Sequence, residues 1–380
     1  MLCRAVPGAR DSGAVENSYC MKILVAGICG FTGSTLATAL LERVEGLSIY
    51  GIDNLMRPGS EINRAALRRL GIDIIHGDIR SASDLEKLPH VDWVVDAAAN
   101  PSVLAGMNGS GTSRQLLEHN LAGVVNVLEY CKVHRAGFIL LSTSRVYSIR
   151  ALERLPLCVQ DGAFRLDCSN VLPRGVSAAG INVDFSTEPP VSLYGSTKLC
   201  AEALALEYGF AFGFPVWINR CGVMAGAGQF GTPDQGIFSY WINAHLRRRP
   251  MRYTGFKGTG HQVRDVFHPR DLARLLHAQI SAPRTEGSRI YTVGGGPAHA
   301  MSLQQLTAWC DLRFGIHQPQ SDHSPRNYDV PWIVVDSACA ANDFGWRCEI
   351  NLSAILEDIA CHAEQHPEWL ELSGYEKEPT

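Results

Sequence analysis

The sequence predicts an α/β fold, a doubly wound parallel sheet followed by a smaller C-terminal lobe, and three observations carry that expectation. Short, nearly continuous apolar runs alternate with longer amphipathic runs over the first two hundred or so residues, the pattern of strands buried on both faces by intervening helices. The first such strand runs straight into a glycine-rich turn. After about Met224 the alternation stops and glycines and prolines crowd together (Gly226, Gly228, Gly231, Pro233), which marks a change of architecture.

In order along the chain, strands are expected at 23–26, 48–52, 72–75, 93–97, 138–142 and 216–219, with helical patterns at 34–43, 65–70, 83–88 and 115–132 between them. Residues 21–223 are expected to form the nucleotide-binding domain and 1–20 a flexible tail without the apolar core of a secretion signal. Residues 224–380 would mainly form a substrate-binding lobe, with a helix over 235–248 and another near 352–364. A strand near 264–268 and a helix over 270–280 are expected to return to the first domain, the returning part spanning about 263–292. A cleft between the lobes would take the ligand.

Composition narrows the class. Of 380 residues, 46% are hydrophobic and 19% charged, as in a packed enzyme rather than a disordered chain. The 34 Lys and Arg against 38 Asp and Glu give a net charge of -4, and the longest basic run is Arg247–Arg249, so no nucleic-acid partner is expected. Twelve cysteines lie scattered without a CxxC pair or a Cys/His cluster, so neither a disulfide framework nor a metal site is expected. Cys29, Cys131, Cys200 and Cys221 fall in apolar or helical stretches and read as small buried hydrophobes. That many free thiols suit a reducing compartment. No apolar run is long enough to span a membrane. The expected location is the cytoplasm.

The glycine-rich turn is Gly27-Ile28-Cys29-Gly30-Phe31-Thr32-Gly33. Between a first strand and a first helix, such glycines let the backbone approach a pyrophosphate, which then meets the free N–H groups and positive dipole end of the helix. This is the Rossmann-type arrangement of a dinucleotide site. Asp53 ends the second strand about 20 residues further on, where a carboxylate accepts from ribose hydroxyls and repels a 2′-phosphate, favouring NAD. Asn54 joins it, and Arg57 is close enough to keep NADP open. Asp78 and Ile79 after the third strand would contact adenine, while Ala97, Ala98 and Ala99 after the fourth leave room for the dinucleotide.

Two further elements carry chemistry. Tyr194 and Lys198 are spaced i, i+4 on one helix face. A tyrosine has a pKa of about 10 and works as a base near neutrality only where neighbouring positive charge favours the phenolate. At the carboxyl end of the fifth strand stands Leu141-Ser142-Thr143-Ser144-Arg145. Thr143 could hydrogen-bond a reacting oxygen there, and Ser142 is a further candidate on the cofactor side.

Together these motifs, in this order from Met21 to about Leu356, resemble the extended short-chain dehydrogenase/reductase family of NAD-dependent nucleotide-sugar epimerases and dehydratases. The resemblance implies bound NAD, a nucleotide-diphosphate-sugar substrate and a triad of Thr143, Tyr194 and Lys198. It also matches Asn120 to an asparagine that supports the cofactor site. Within the family the chain is most similar to the CDP-paratose (CDP-tyvelose) 2-epimerases, through Gly-Ala-Gly-Gln-Phe-Gly-Thr-Pro-Asp-Gln-Gly at 226–236, Gly-His-Gln-Val-Arg-Asp-Val at 260–266 and the long segment before Tyr194. By that likeness Arg264 and Arg326 would hold the diphosphate, and Arg145, Gln229 and Gln235 are further substrate contacts. Dehydratases of the family carry an Asp-Glu pair after the threonine. Here Ser144-Arg145 supplies neither acid nor base, so the expected reaction is epimerisation through a transient keto-sugar, at C2 with C4 as the alternative. A net dehydrogenase and a non-catalytic nucleotide sensor stay open as other classes. Relatives pair through two helices, here 115–132 and 194–212, so a homodimer is expected.

Overall fold

Lys22–Ala26 is strand-forming because its residues serve two cores at once. Ile23 and Val25 point into one hydrophobic cluster, Leu24 and Ala26 into another on the opposite face, the period of two that a doubly covered sheet requires. In the computed structural model, which describes residues 20–107, 112–281, 287 and 289–375, this strand lies inside the large sheet, between the strands Trp93–Asp96 and Ser48–Asp53. The expected tail, apart from Cys20, lies outside the described residues.

The first part of the chain runs β1 (Lys22–Ala26), α1 (Phe31–Leu41), β2 (Ser48–Asp53), α2 (Glu61–Arg69), β3 (Asp73–His76), α3 (Ala82–Leu85), β4 (Trp93–Asp96) and α4 (Ser113–Leu117). One π-turn (Glu118–Ala122) leads into α5 (Gly123–His134) and then β5 (Gly137–Thr143). The helix expected over 115–132 is present as one continuous run from Ser113 to His134 that carries this π-turn, a feature that often marks a site. An insertion follows, made of α6 (Ile149–Glu153), hairpin β6–β7 (Leu157–Gln160, Ala163–Leu166) and hairpin β8–β9 (Val176–Ser177, Gly180–Ile181). Then come α7 (Ser192–Phe212), β10 (Val216–Cys221), β11 (Val223–Met224), α8 (Ile237–Leu246), β12 (Arg252–Thr254), β13 (Val263–Phe267), α9 (Pro269–Ser281) and β14 (Ile290–Val293). The chain closes with β15 (Ala300–Ser302), α10 (Leu303–Phe314), β16 (Gln320–Asp322), β17 (Trp332–Ile333), α11 (Ala338–Phe344), α12 (Leu352–Gln365) and α13 (Trp369–Leu372).

Seven strands form one sheet in the order β14-β10-β5-β4-β1-β2-β3, with every pairing parallel. On one face Leu36, Leu40, Leu272 and Leu276 from α1 and α9 bury against β1 and β10. On the other, Val124, Val127, Leu128, Ala201 and Ala205 from α5 and α7 cover β4 and β5. Fold class and sheet are as expected. One boundary moves, because β13 pairs with β11, β15 and β17 in a separate small sheet. The return therefore begins with α9, which packs on α1, and ends with β14, the last strand of the large sheet.

The second lobe has its own core, where Phe238 and Trp241 of α8 meet Leu306 of α10 and Ile355 and Ile359 of α12. The insertion packs Tyr147, Ile149 and Leu152 against Val263 and Trp332 of the small sheet, so it joins the lobes. Cys29, Cys131 and Cys221 are buried as expected, whereas Cys200 is exposed on α7. No helix among the described residues is long and apolar enough to cross a membrane.

Candidate active site

The carboxyl ends of β1, β2, β4 and β5 face the second lobe across a cavity of about 680 Å³, the place where open parallel sheets bind ligands. Its floor is the glycine turn. Gly27 sits at φ +74, and a Cβ there would come 2.9 Å from the Ala98 backbone. A Cβ at Gly33 would stand 2.2 Å from the Gly27 carbonyl. Gly30 caps α1 without a side-chain hydrogen bond, so the helix starts inside the turn and its first N–H groups face the cavity unshielded. Gly33→Ala should therefore push the helix off the turn, at a cost of about 1–3 kcal/mol. Its expected outcome is loss of co-purifying NAD and a lower melting temperature, read by absorbance ratio and calorimetry.

Asp53 lines the cavity at the end of β2. Its carboxylate accepts from the Cys29 and Leu55 amides, at 2.8 Å each, and burial raises its pKa against those bonds. An ionised carboxylate has about four lone-pair sites, so Asp53 retains capacity for a hydroxyl donor from the cavity. Asn54, Ile79, Ala97, Ala98, Ala99, Phe31 and Thr32 line the same cavity. Asp78 does not line it. Its carboxylate accepts from Asn54 at 2.9 Å and Arg80 at 2.6 Å; burial would raise its pKa, but these bonds hold it well below the usual range. It braces Asn54, between the cavity-lining residues Gly77 and Ile79. Arg57 lines the cavity with both terminal nitrogens engaged, Nη1 to Gln235 Oε1 and Nη2 to the Phe230 carbonyl, each at 2.6 Å.

Thr143 and Tyr194 stand together at the end of β5. Burial pushes the Tyr194 phenol up to about 12, while its neighbours Thr143 and Arg145 pull it down. Leu116 and Ala105 pack the phenol in place. Lys198 lies one turn along α7, almost fully buried, and donates to the Leu141 carbonyl at 3.0 Å. Burial lowers its pKa and Asp96 raises it, so its charge is balanced from below the sheet end.

Two expected cofactor contacts face elsewhere. Asn120 is fully buried in the π-turn, accepting from the Asn100 amide at 2.7 Å and donating to the Asn100 carbonyl at 2.9 Å and Thr197 at 3.3 Å. It ties the loop after β4 to α7 rather than lining the cavity. Ser142 donates to Glu202 beneath the sheet end, where Glu202 pairs with Arg220 at 2.7 Å and both are buried.

The far end of the cavity is cationic. Arg145, Arg264 and Arg326 all line it. Burial, then repulsion from Arg264, pushes the Arg145 guanidinium down to about 9, with Asp329 opposing. Arg145 donates to the Tyr328 carbonyl at 2.6 Å, Arg264 lies 3.7 Å from Asp329, and Arg326 pairs with Asp234 at 3.1 Å. Gln229 donates to the Met224 carbonyl at 2.7 Å, and its side-chain oxygen has no partner. Sequence reading missed Asp329, Tyr328 and His119 on the cavity wall. Asp329, three residues past Arg326, was the one with a visible signal, a carboxylate in reach of a candidate cation cluster.

Comparison with known proteins identifies the family and the fold. The model of the NAD dependent epimerase/dehydratase family matches residues 23–294. The chain is 28% identical over 340 residues to CDP-paratose 2-epimerase of Salmonella typhi, covering 87% of this chain and 96% of that protein. It is 25% identical over 367 residues to UDP-glucuronate 4-epimerase 1 of Arabidopsis thaliana, covering 92% and 78%. UDP-glucuronic acid 4-epimerase from Bacillus cereus, solved with UDP-glucuronic acid and NAD, shares the fold with a TM-score of 0.70 at 24% identity, over 91% of this chain and 99% of that one.

Proposed function

Because the chain belongs to the NAD dependent epimerase/dehydratase family, we propose that it epimerises a nucleotide-diphosphate sugar at C2 through a transient keto-sugar. NAD is its cofactor, and the turn that only glycine can line fits the dinucleotide. Held there, NAD would supply reversible hydride acceptance at a sugar carbon. The observation that carries the proposal is one cavity with the glycine cradle and Asp53 on its floor, Tyr194 and Thr143 at the β5 end, and three arginines beyond them.

In this reading Tyr194 takes the proton from the reacting sugar hydroxyl and gives it back, and Thr143 orients that hydroxyl. Lys198, held by Leu141 and Asp96, keeps positive charge beneath the site. Arg145, Arg264 and Arg326 grip the diphosphate, for which the guanidinium fork suits oxygen pairs. The carboxylates lining the cavity are Asp53, Asp234 and Asp329. None follows Thr143 on β5, where dehydration would need an acid and a base. Similarity to CDP-paratose 2-epimerase supports C2; the 4-epimerases among the relatives make C4 the second reading.

The test incubates the protein with CDP-, UDP- and GDP-sugars in deuterated water and follows the sugar by NMR. A C2 epimer without ring deuterium and without net NADH supports the proposal. A C4 epimer selects the second reading, and net NADH or solvent deuterium at the carbon overturns both. Separately, Arg264→Met should weaken nucleotide-diphosphate binding by about 1.5–3 kcal/mol, the worth of a charge-assisted hydrogen bond, measured by titration calorimetry. We also expect a homodimer through α5 and α7, where Val133 and Phe210 are 73% and 90% exposed. A monomer in sedimentation at micromolar concentration would remove that expectation.

A further inference from the structure

The segment from Gln229 to Gln235 crosses the cofactor end of the cavity and is fastened on both sides. From the first domain, Arg57 donates to the Phe230 carbonyl and to Gln235 Oε1, both at 2.6 Å. From the chain's last helix, Trp369 donates from Nε1 to the Gln229 carbonyl at 2.9 Å, and its ring stacks on Phe230 at 5.2 Å between centroids. Phe31, the first residue of α1, completes that aromatic cluster. The approach is close: a Cβ at Gly59, two residues past Arg57, would meet the Phe230 ring at 2.7 Å and the Leu372 carbonyl at 2.8 Å. An ion pair from Arg249 to Glu371 at 2.6 Å holds α13 to the second lobe.

Asp53, Asn54, Arg57, Phe31, Phe230 and Gln235 all line the same cavity, so the strap spans from the pyrophosphate cradle to the ribose end. We propose that Arg57, Gln235 and Trp369 are positioning residues that hold this strap shut over NAD, so that the cofactor exchanges slowly and serves many turnovers. The proposal rests on NAD occupying the glycine cradle and is independent of which sugar or carbon reacts. It explains why an arginine four residues past Asp53 does not make the site one for NADP. Both of its terminal nitrogens are committed to the strap, and a 2′-phosphate would have to displace them. An epimerase that returns its hydride gains from such retention, because each lost cofactor would strand a keto-sugar.

The test uses the holoprotein and needs no sugar. NAD-loaded protein is chased with excess fluorescent etheno-NAD, and the release rate is compared for wild type, Arg57→Met, Trp369→Leu and Arg270→Met. Arg270 is the control, since it pairs with Glu42 on the surface and does not line the cavity. Release at least tenfold faster in Arg57→Met and Trp369→Leu, with Arg270→Met at the wild-type rate and Arg57→Lys between, supports the strap. If Trp369→Leu fails to fold, Arg57→Met and Arg57→Lys still decide. Wild-type release from Arg57→Met, or equal acceleration in the Arg270 control, overturns the proposal.

Discussion

Tyr194→Phe should slow epimerisation by roughly 10²–10⁴-fold, the usual contribution of a positioned acid–base group, or about 3–5 kcal/mol of barrier. The ring remains, so packing against Leu116 and Ala105 survives and the variant should bind NAD and nucleotide sugar as wild type does. What disappears is the hydroxyl oxygen that stands near Thr143 on the cavity wall. Single-turnover NMR with saturating sugar checks this. A rate within threefold of wild type would mean that another group carries the proton. The sign of the pH dependence follows from burial. It pushes the phenol up to about 12, with Thr143 and Arg145 opposing, so the base form accumulates only as pH rises. The wild-type rate should climb on the alkaline side of neutrality, and the phenylalanine variant should lose that limb.

Glu202→Ala should be the most damaging substitution away from the cavity, at about 3–5 kcal/mol. Glu202 receives Arg220 through Nε at 3.1 Å and Nη2 at 2.7 Å and also accepts from Ser142. The ion pair is buried, with side-chain exposures of 7% for Arg220 and 4% for Glu202. Removing the carboxylate leaves a guanidinium without its counter-charge in a site that water does not reach, and Tyr147, whose ring lies 5.5 Å from it, offers no charge. Urea denaturation measures the loss. The double variant Glu202→Leu with Arg220→Met should recover much of it, because two apolar side chains need no partner. A single-variant loss below about 1 kcal/mol would show that water enters and solvates Arg220.

The large sheet and glycine cradle were legible because both are local. A strand buried on two faces reads as an apolar run, and the turn carries its own glycines. The small sheet was not, since β13 pairs with β15 and β17 across long stretches of chain and no local pattern encodes that choice. That Ser142 does not line the cavity has a simpler cause. Neighbouring residues on a strand face opposite ways, so if Thr143 meets the cavity, Ser142 must turn beneath it, as it does toward Glu202. Gly77 and Ile79 line the cavity while Asp78 between them does not, because in the loop after β3 its carboxylate is held by Asn54 and Arg80. Asn120 was found by resemblance in the right place, but the π-turn aims its amide at Asn100, which helix periodicity could not foretell. Arg57 was noticed for its charge, yet its partners Phe230 and Gln235 belong to the other lobe.

The order in which the chain visits its two lobes bears on its birth at the ribosome. Strand β14, beside β10, arrives only after the small sheet has begun, and Trp369 reaches Gln229 from near the last described residue. A nascent chain halted before residue 289 has an unfinished sheet edge, and one halted before 369 lacks the Trp369 bond to Gln229. Fragments made by splitting the gene at the lobe boundary should therefore be poor autonomous folders.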